Sequence, residues 1–212
     1  PLFNNQNGQN VLIHGIPGVG KTVALKHILN ELEEETDEII PIFINCWQKN
    51  TIHKIALEMC EQLGLNILSN QKTDEILKHV FQKINRKSLV LVLDEADKLE
   101  DNNFVYTVLE EIYRKTIIMI TNYKEWIVSL DTRIKSRLVP QILEFPAYNP
   151  SETHGILKDR IGYAFIPGVW QDDLLRIISQ KTHALKDIRK GLHLIRQAGL
   201  IAEGKSKKKV EE

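Results

Sequence analysis

The sequence predicts an α/β domain with a central parallel sheet, followed by a small all-helical subdomain. Short apolar runs alternate with stretches of helical periodicity as far as residue 145. The run Leu89–Asp94 (LVLVLD) is apolar at almost every position, which is typical of a strand buried on both faces. After residue 150, three helical stretches follow one another with no predicted strand between them.

The elements of the sheet domain follow from two spacings. A strand is predicted by a short apolar run, and a helix by apolar residues three or four positions apart. Pro41 removes one ladder hydrogen bond from the second strand, which favours an edge position. The predicted strands are Val11–His14, Glu38–Asn45, Leu89–Asp94, Thr116–Asn122 and Gln141–Phe145, and the predicted helices are Lys21–Glu33, Thr51–Leu63, Thr73–Arg86 and Phe104–Arg114.

The predicted domain organisation has three parts. An α/β domain spans residues 1–147, and a helical subdomain spans residues 148–204. Residues 205–212 form a charge run without an apolar face, which is typical of a disordered end or a linker. The predicted helices of the subdomain are Ser151–Tyr163, Asp172–Thr182 and Lys186–Ala202.

The amino-acid composition limits the kinds of protein to which this chain can belong. The 28 basic and 28 acidic residues cancel, so a DNA contact would need a local patch or a further domain. Two cysteines, Cys46 and Cys60, are expected to be buried and reduced, and no apolar run is long enough to cross a membrane. We therefore expect a cytoplasmic protein. The three tryptophans are expected to be packing residues, and the seven scattered histidines show no metal-ligand spacing.

A phosphate-binding motif lies between the first predicted strand and the first predicted helix. Residues 15–22 match the pattern GxxxxGK[ST]. Its glycines let backbone N–H groups converge on an anion, and the following helix directs its positive end to the same place. Lys21 is expected at the β and γ phosphates, and Thr22 on Mg²⁺. The residues expected to bind the nucleotide are Gly15, Ile16, Pro17, Gly18, Val19, Gly20, Lys21 and Thr22.

Polar side chains end two further predicted strands. Asp94 and Glu95 close the run LVLVLDE, and the carboxyl ends of parallel strands are where ligands bind in such sheets. Asp94 is expected to hold Mg²⁺ directly or through water, and Glu95 to orient and deprotonate the attacking water. Asn122 ends the next buried strand, where it could touch the γ-phosphate or that water, although asparagine there is also a common turn former.

This order of features resembles the AAA+ ATPases, and among them the archaeal origin-recognition and cell-division-control replication initiators. The resemblance implies a P-loop AAA+ domain with a helical lid. The first and third of the five matching stretches are common to many P-loop proteins, whereas the last two point to initiators. The stretches are Asn10–Thr22 (NVLIHGIPGVGKT), Ile42–Cys60 (IFINC and a helix), Leu89–Leu99 (LVLVLDEADKL), Ser129–Leu138 (SLDTRIKSRL) and Leu185–Glu203 (LKDIRKGLHLIRQAGLIAE).

The resemblance also implies roles for single residues. Asn122 resembles the sensor-1 residue, and Arg189 resembles the sensor-2 arginine of the lid, which touches the γ-phosphate. Arg137 resembles the arginine finger that reaches ATP held by a neighbouring AAA+ subunit, with Arg133 as the second candidate. Without the resemblance, Arg133, Lys135 and Arg137 could instead form a basic surface face.

The chain departs from the family pattern in three places. Lys186 stands where family members usually have a glycine before Asp187. Only Pro1–Gln9 precede the first strand, so the stretch that helps to hold adenine is mostly absent. The family's winged-helix DNA-binding domain has no counterpart within these 212 residues.

The family's DNA-contacting insertion falls at residues 47–65, where Lys49, His53 and Lys54 could meet phosphates, although the apolar stripe there is more often core.

The expected function is an ATP-binding and slowly hydrolysing module of a replication initiator, whose nucleotide state controls origin DNA binding and assembly. Its cofactors would be ATP or ADP with Mg²⁺. Two alternatives stay open at the level of sequence. One is another AAA+ ATPase, such as a clamp loader or a transposition helper, and the other is a signalling ATPase of the archaeal type that acts as a nucleotide switch.

Overall fold

The computed structural model describes residues 1–4, 6–67 and 71–210. These residues form two compact units. The first unit contains residues 1–15 and 20–144, and the second contains residues 16–19 and 145–212. The second unit therefore begins three residues before the predicted boundary and also takes in four residues of the glycine-rich motif.

A five-stranded parallel sheet forms the centre of the first unit, as predicted. Its strand order is β2-β3-β4-β1-β5, so β3 and β4 lie in the interior. Every residue of β3 is buried, which explains its continuous apolar run. Pro41 lies on β2 at one edge, where a missing donor is tolerated. The strands are β1 (Val11–His14), β2 (Ile39–Asn45), β3 (Ser88–Asp94), β4 (Lys115–Thr121) and β5 (Gln141–Glu144).

The helices of the first unit pack apolar side chains around this sheet. Ile55, Ala56 and Met59 of α2 are fully buried, and Thr51 caps that helix by accepting a hydrogen bond from the Lys54 amide. Two short helices after β4, α5 and α6, were not predicted from the sequence. The helices are α1 (Lys21–Glu35), α2 (Ile52–Gln62), α3 (Thr73–Ile84), α4 (Asn103–Glu111), α5 (Trp126–Ser129) and α6 (Thr132–Leu138).

Three helices form the second unit, in the order predicted. They are α7 (Pro150–Ala164), α8 (Asp172–Leu185) and α9 (Ile188–Gly204). Asn149 and Glu152 form a reciprocal capping box at the start of α7. The small core of this unit contains Leu157, Leu175, Ile178 and Ile195.

One expectation about a single residue is wrong, and the tail has a contact that the sequence did not predict. Val210 is buried, and its amide donates to the Val169 carbonyl at 2.9 Å. Trp47 is not a packing residue, because 66% of its surface is exposed. The other two tryptophans pack as expected: Trp126 lies against the core of the first unit and Trp170 against that of the second.

Candidate nucleotide site

The carboxyl ends of four neighbouring strands bring polar residues to one edge of the sheet. Strands β1, β2, β3 and β4 run parallel and end at His14, Asn45, Asp94 and Thr121. Asn45 pairs in register with Asp94, and His14 pairs with Thr121. Ligands of open α/β sheets bind beyond this edge.

Lys21 is the first residue of α1 and is only 7% exposed. Its Nζ donates to the Gly15 carbonyl at 2.7 Å and to Asn122 Oδ1 at 2.8 Å. A lysine is seldom buried to this degree unless its ammonium group has partners. The contact joins the glycine-rich motif to a residue 101 positions away, just beyond β4. The structure therefore brings together Lys21 and Asn122, which sequence patterns had marked separately.

Thr22 and Asp94 form the second contact at this edge. Thr22 Oγ1 donates to Asp94 Oδ2 at 2.8 Å, and Asp94 is 4% exposed. Mg²⁺ binds oxygen ligands at 2.0–2.1 Å in an octahedron, so that adjacent ligands lie about 2.9 Å apart. The spacing of the hydroxyl and carboxylate oxygens thus fits two neighbouring positions around Mg²⁺. The pair predicted to hold the metal has the chemistry and spacing that the metal requires.

Glu95 follows Asp94 in an uncommon backbone conformation. Its φ is 55°, in the left-handed region, and its amide donates to Asp94 Oδ1 at 3.1 Å. Non-glycine residues in this region carry a small energetic cost and occur most often where function requires the geometry. The role of Glu95 in activating water stays a prediction.

Several carboxylates make this edge of the sheet electronegative. Burial, and then the charges of Asp94, Asp97 and Glu95, raise the pKa of the Cys46 thiol to about 12. Asp97 Oδ1 accepts a hydrogen bond from the Thr121 hydroxyl at 3.0 Å. Sequence reasoning missed Asp97, although the run Asp-Glu-Ala-Asp places a third carboxylate one turn after Asp94. Such a field favours a divalent cation.

Within the second unit, residues 16–19 contact the segments before α7 and α9. Tyr148 Oη donates to the Val19 carbonyl at 2.9 Å. Gly18 has φ 86°, and a Cβ built there would lie 2.4 Å from Asp187 Oδ1, so a larger residue would collide with that carboxylate. Asp187 caps α9 by accepting from the Arg189 amide at 3.0 Å. Arg189 is exposed on the first turn of α9, and its role as a sensor stays a prediction.

The two candidate finger arginines lie on α6 and stack on the same tyrosine. The guanidinium carbons of Arg133 and Arg137 lie 5.5 and 5.1 Å from the ring centroid of Tyr106. Arg133 also binds both carboxylate oxygens of Asp131, at 3.1 and 3.2 Å, and the pKa of Asp131 is lowered by hydrogen bonds from Arg133. Arg137 forms an ion pair with Glu110 on α4. Both side chains therefore have partners within the chain.

The segment expected to contact DNA uses most of its polar groups internally. His53 Nδ1 lies 3.0 Å from Thr73 Oγ1, and Lys49 pairs with Glu58 at 2.9 Å. Lys54 donates to Asn50 Oδ1 at 3.0 Å. DNA contact by this segment stays a prediction.

Neither a cluster of three or more metal-binding side chains nor a membrane-spanning helix occurs among the described residues. Across residues 1–4, 6–67 and 71–210, no three His, Cys, Asp or Glu side chains gather as a metal site. No described helix combines the length and the apolar character needed to cross a membrane.

Comparison with known families gives two matches. Residues 4–123 match the model of the AAA domain, and residues 154–212 match that of the Cdc6 AAA+ ATPase-type lid domain. The ORC1-type DNA replication protein 1 of Sulfurisphaera tokodaii is 32% identical over 218 residues, covering 96% of this chain and 54% of that protein. The ORC1-type DNA replication protein of Thermoplasma volcanium is 30% identical over 226 residues, covering 100% and 55%. The chain spans about half the length of the curated relatives it matches.

Solved structures show the same fold. The Aeropyrum pernix ORC1 protein in complex with DNA superposes with a TM-score of 0.86 at 27% identity, covering 100% of this chain and 59% of that one. Cdc6p from Pyrobaculum aerophilum superposes with a TM-score of 0.85 at 20% identity, covering 99% and 61%.

Proposed function

The chain belongs to the AAA domain family, and we propose that it is the ATP-binding and slowly hydrolysing module of an ORC1-type DNA replication initiator. One observation carries the proposal. Lys21 and Thr22, at the start of the helix after the glycine-rich motif, contact Asn122 and Asp94 at the carboxyl edge of the sheet. These contacts hold together an ammonium, a hydroxyl and a carboxylate, which are the groups that bind a nucleoside triphosphate and its Mg²⁺. In line with its reduced cysteines, we place the protein in the cytoplasm.

Nucleotide binding would use the glycine-rich motif and the first turn of α1. Backbone N–H groups of residues 15–22 cradle the phosphates, aided by the positive end of the helix. Lys21 exchanges contacts with neutral oxygens for contacts with the β and γ phosphates. Bound Mg²⁺, held by Thr22 and Asp94, would neutralise charge on those phosphates. ADP would use most of the same contacts.

Hydrolysis would depend on residues that surround the γ-phosphate. Glu95 accepts the proton of the attacking water. Its left-handed backbone conformation sets the direction in which its side chain leaves the backbone. Asn122, whose side-chain oxygen accepts from Lys21 in the nucleotide-free chain, would offer its amide nitrogen as a donor toward the phosphate or the water. Arg189 of the lid and Arg137 of a neighbouring subunit would stabilise charge on the γ-phosphate.

The same site suits a regulatory cycle coupled to DNA. The structure of the Aeropyrum pernix ORC1 protein contains DNA, and this chain covers 59% of that protein. By the family pattern, the DNA-binding affinity would rest mainly on a winged-helix domain, with a smaller contribution from residues 47–65. ATP would hold the lid in the assembly-competent state, and hydrolysis would release it.

Nucleotide binding is tested first by titration calorimetry with ATP and ADP in the presence of Mg²⁺. Lys21→Ala should abolish measurable binding, because it removes the charge at the β and γ phosphates. Lys26→Ala is the matched control, since Lys26 lies on the same helix but is exposed. Equal binding by both variants would show that the nucleotide does not occupy this motif.

Hydrolysis is tested by single-turnover measurements on Glu95→Gln. This variant should bind ATP as wild type does but hydrolyse it at least about 100-fold more slowly, as expected for loss of a general base. Unchanged turnover would remove Glu95 from its proposed role. A wild-type chain that binds ATP without hydrolysing it would favour the nucleotide-switch alternative. If the chain is part of an initiator as proposed, the full-length protein should bind origin DNA with different affinities in the presence of ATP and of ADP. Fast turnover that DNA or a protein partner stimulates would instead favour a loader or transposition helper.

A further inference from the structure

Tyr148 is held at both ends within the second unit. It lies in the connection before α7, and its backbone carbonyl is 3.2 Å from His183 Nδ1 on α8. Because a carbonyl oxygen can only accept, this nitrogen is the protonated one. At the other end, the Tyr148 hydroxyl donates to the Val19 carbonyl at 2.9 Å. Tyr148 therefore links α8, through its backbone carbonyl, to the Val19 carbonyl of the motif, through its hydroxyl.

The Val19 carbonyl shares its peptide plane with an amide of the predicted phosphate cradle. The Val19–Gly20 bond is trans, so the Val19 C=O and the Gly20 N–H point in opposite directions. Gly18 and Gly20 have φ values of 86° and 87°, and glycines resist rotation of adjacent peptide planes weakly. A hydrogen bond to the carbonyl consequently also fixes the direction of the N–H.

We propose that Tyr148 is a positioning residue for phosphate binding, which orients the Gly20 amide by holding the Val19 carbonyl. This inference rests on the proposed nucleotide-binding function. The adjacent contact supports it, because Asp187 Oδ1 closes the space beside Gly18 and limits movement of the same loop tip. Two groups of the second unit thus hold two consecutive residues of the motif.

The test replaces the hydroxyl alone. Tyr148→Phe should weaken ADP and ATP binding by about three- to tenfold each, which is the effect of one oriented hydrogen bond. The loss should be similar for the two nucleotides, because the cradle amides serve the phosphates that both share. Tyr163→Phe is the matched control, since Tyr163 lies on α7 and is 86% exposed. It should bind both nucleotides as wild type does.

Binding is measured by calorimetry well below the unfolding transition, and unfolding of the nucleotide-free variants is followed separately. A purely structural role for Tyr148 would lower the unfolding midpoint and leave the Kd for ADP unchanged, which would overturn the inference. If wild type binds ADP, Lys21→Ala does not, and Tyr148→Phe binds like wild type, only the inference fails. A wild-type chain that binds neither nucleotide would overturn the proposed function and this inference with it.

Discussion

Lys186 occupies a backbone position that suits glycine, and its replacement should stabilise the protein. It ends α8 with φ 50° and ψ 30°, in the left-handed region, and its side chain is exposed. A left-handed conformation brings Cβ close to the following carbonyl and costs an ordinary residue about 1–2 kcal/mol. Glycine has no Cβ and is the usual residue at such helix ends.

The size of the effect follows from two opposing contributions. Lys186→Gly removes the steric cost of about 1–2 kcal/mol. It also makes the unfolded chain more flexible, which costs about 0.5–1 kcal/mol. The difference spans about 0–1.5 kcal/mol, and we expect a net gain near its middle, about 0.5–1 kcal/mol in the free energy of unfolding, or roughly 1–4 °C in the unfolding midpoint.

Urea denaturation followed by circular dichroism can measure this gain. The matched control is Lys181→Gly, which makes the same substitution at an exposed position inside the same helix. It should lose about 1 kcal/mol, because glycine is unfavourable in a helix interior. Opposite signs for the two variants would support the reasoning. If Lys186→Gly destabilised the protein as much as Lys181→Gly does, the argument from backbone strain would be refuted.

Three further predictions follow from local geometry. Val139→Gly should raise the free energy of unfolding by about 1 kcal/mol, because a branched residue at φ 33° is strained; a loss would contradict this. Asn149→Ala should lower it by about 1 kcal/mol by removing the capping box, and an unchanged urea midpoint would argue against that role. The buried Cys46 thiol should resist thiol reagents in the native protein, and fast labelling of the native protein would contradict this. Folding raises the pKa of this thiol from 9.0 to about 12. Its contribution to stability should therefore be present below pH 9 and fall as the pH rises toward 12.

The sheet and its functional edge could be predicted because each depends on a short-range pattern. A strand buried on both faces must be apolar throughout, and Leu89–Asp94 shows this directly. Parallel strands then bring their carboxyl ends together, so that motifs far apart in sequence meet. The contact of Lys21 with Asn122 follows from that rule, although neither residue reveals its partner alone.

Other features depend on tertiary packing that no local pattern contains. Val23 and Ile28 share helical spacing with Leu25, yet they are 67% and 53% exposed, whereas Leu25 is buried. Apolar residues are abundant on protein surfaces, so an apolar side chain alone does not identify the inward face. The exposure of Trp47 could not be predicted for the same reason. Val210 is the one apolar residue in the charged tail, and its contacts with Val169 and Trp170 accompany its burial.

The contacts of the two candidate finger arginines separate them. Arg133 makes two side-chain hydrogen bonds to Asp131, and the same carboxylate caps α6 by accepting from the Arg133 amide. If the Arg133 side chain turned to reach a nucleotide on a neighbouring subunit, both of its hydrogen bonds to Asp131 would break. Arg137 is 48% exposed and pairs with Glu110, which is 35% exposed. A surface ion pair contributes about 1 kcal/mol or less unless its geometry is bidentate, as that of Arg133 and Asp131 is. A neighbour's phosphates could therefore replace Glu110 at little cost, so the local contacts favour Arg137 over Arg133 for the proposed role in a second subunit.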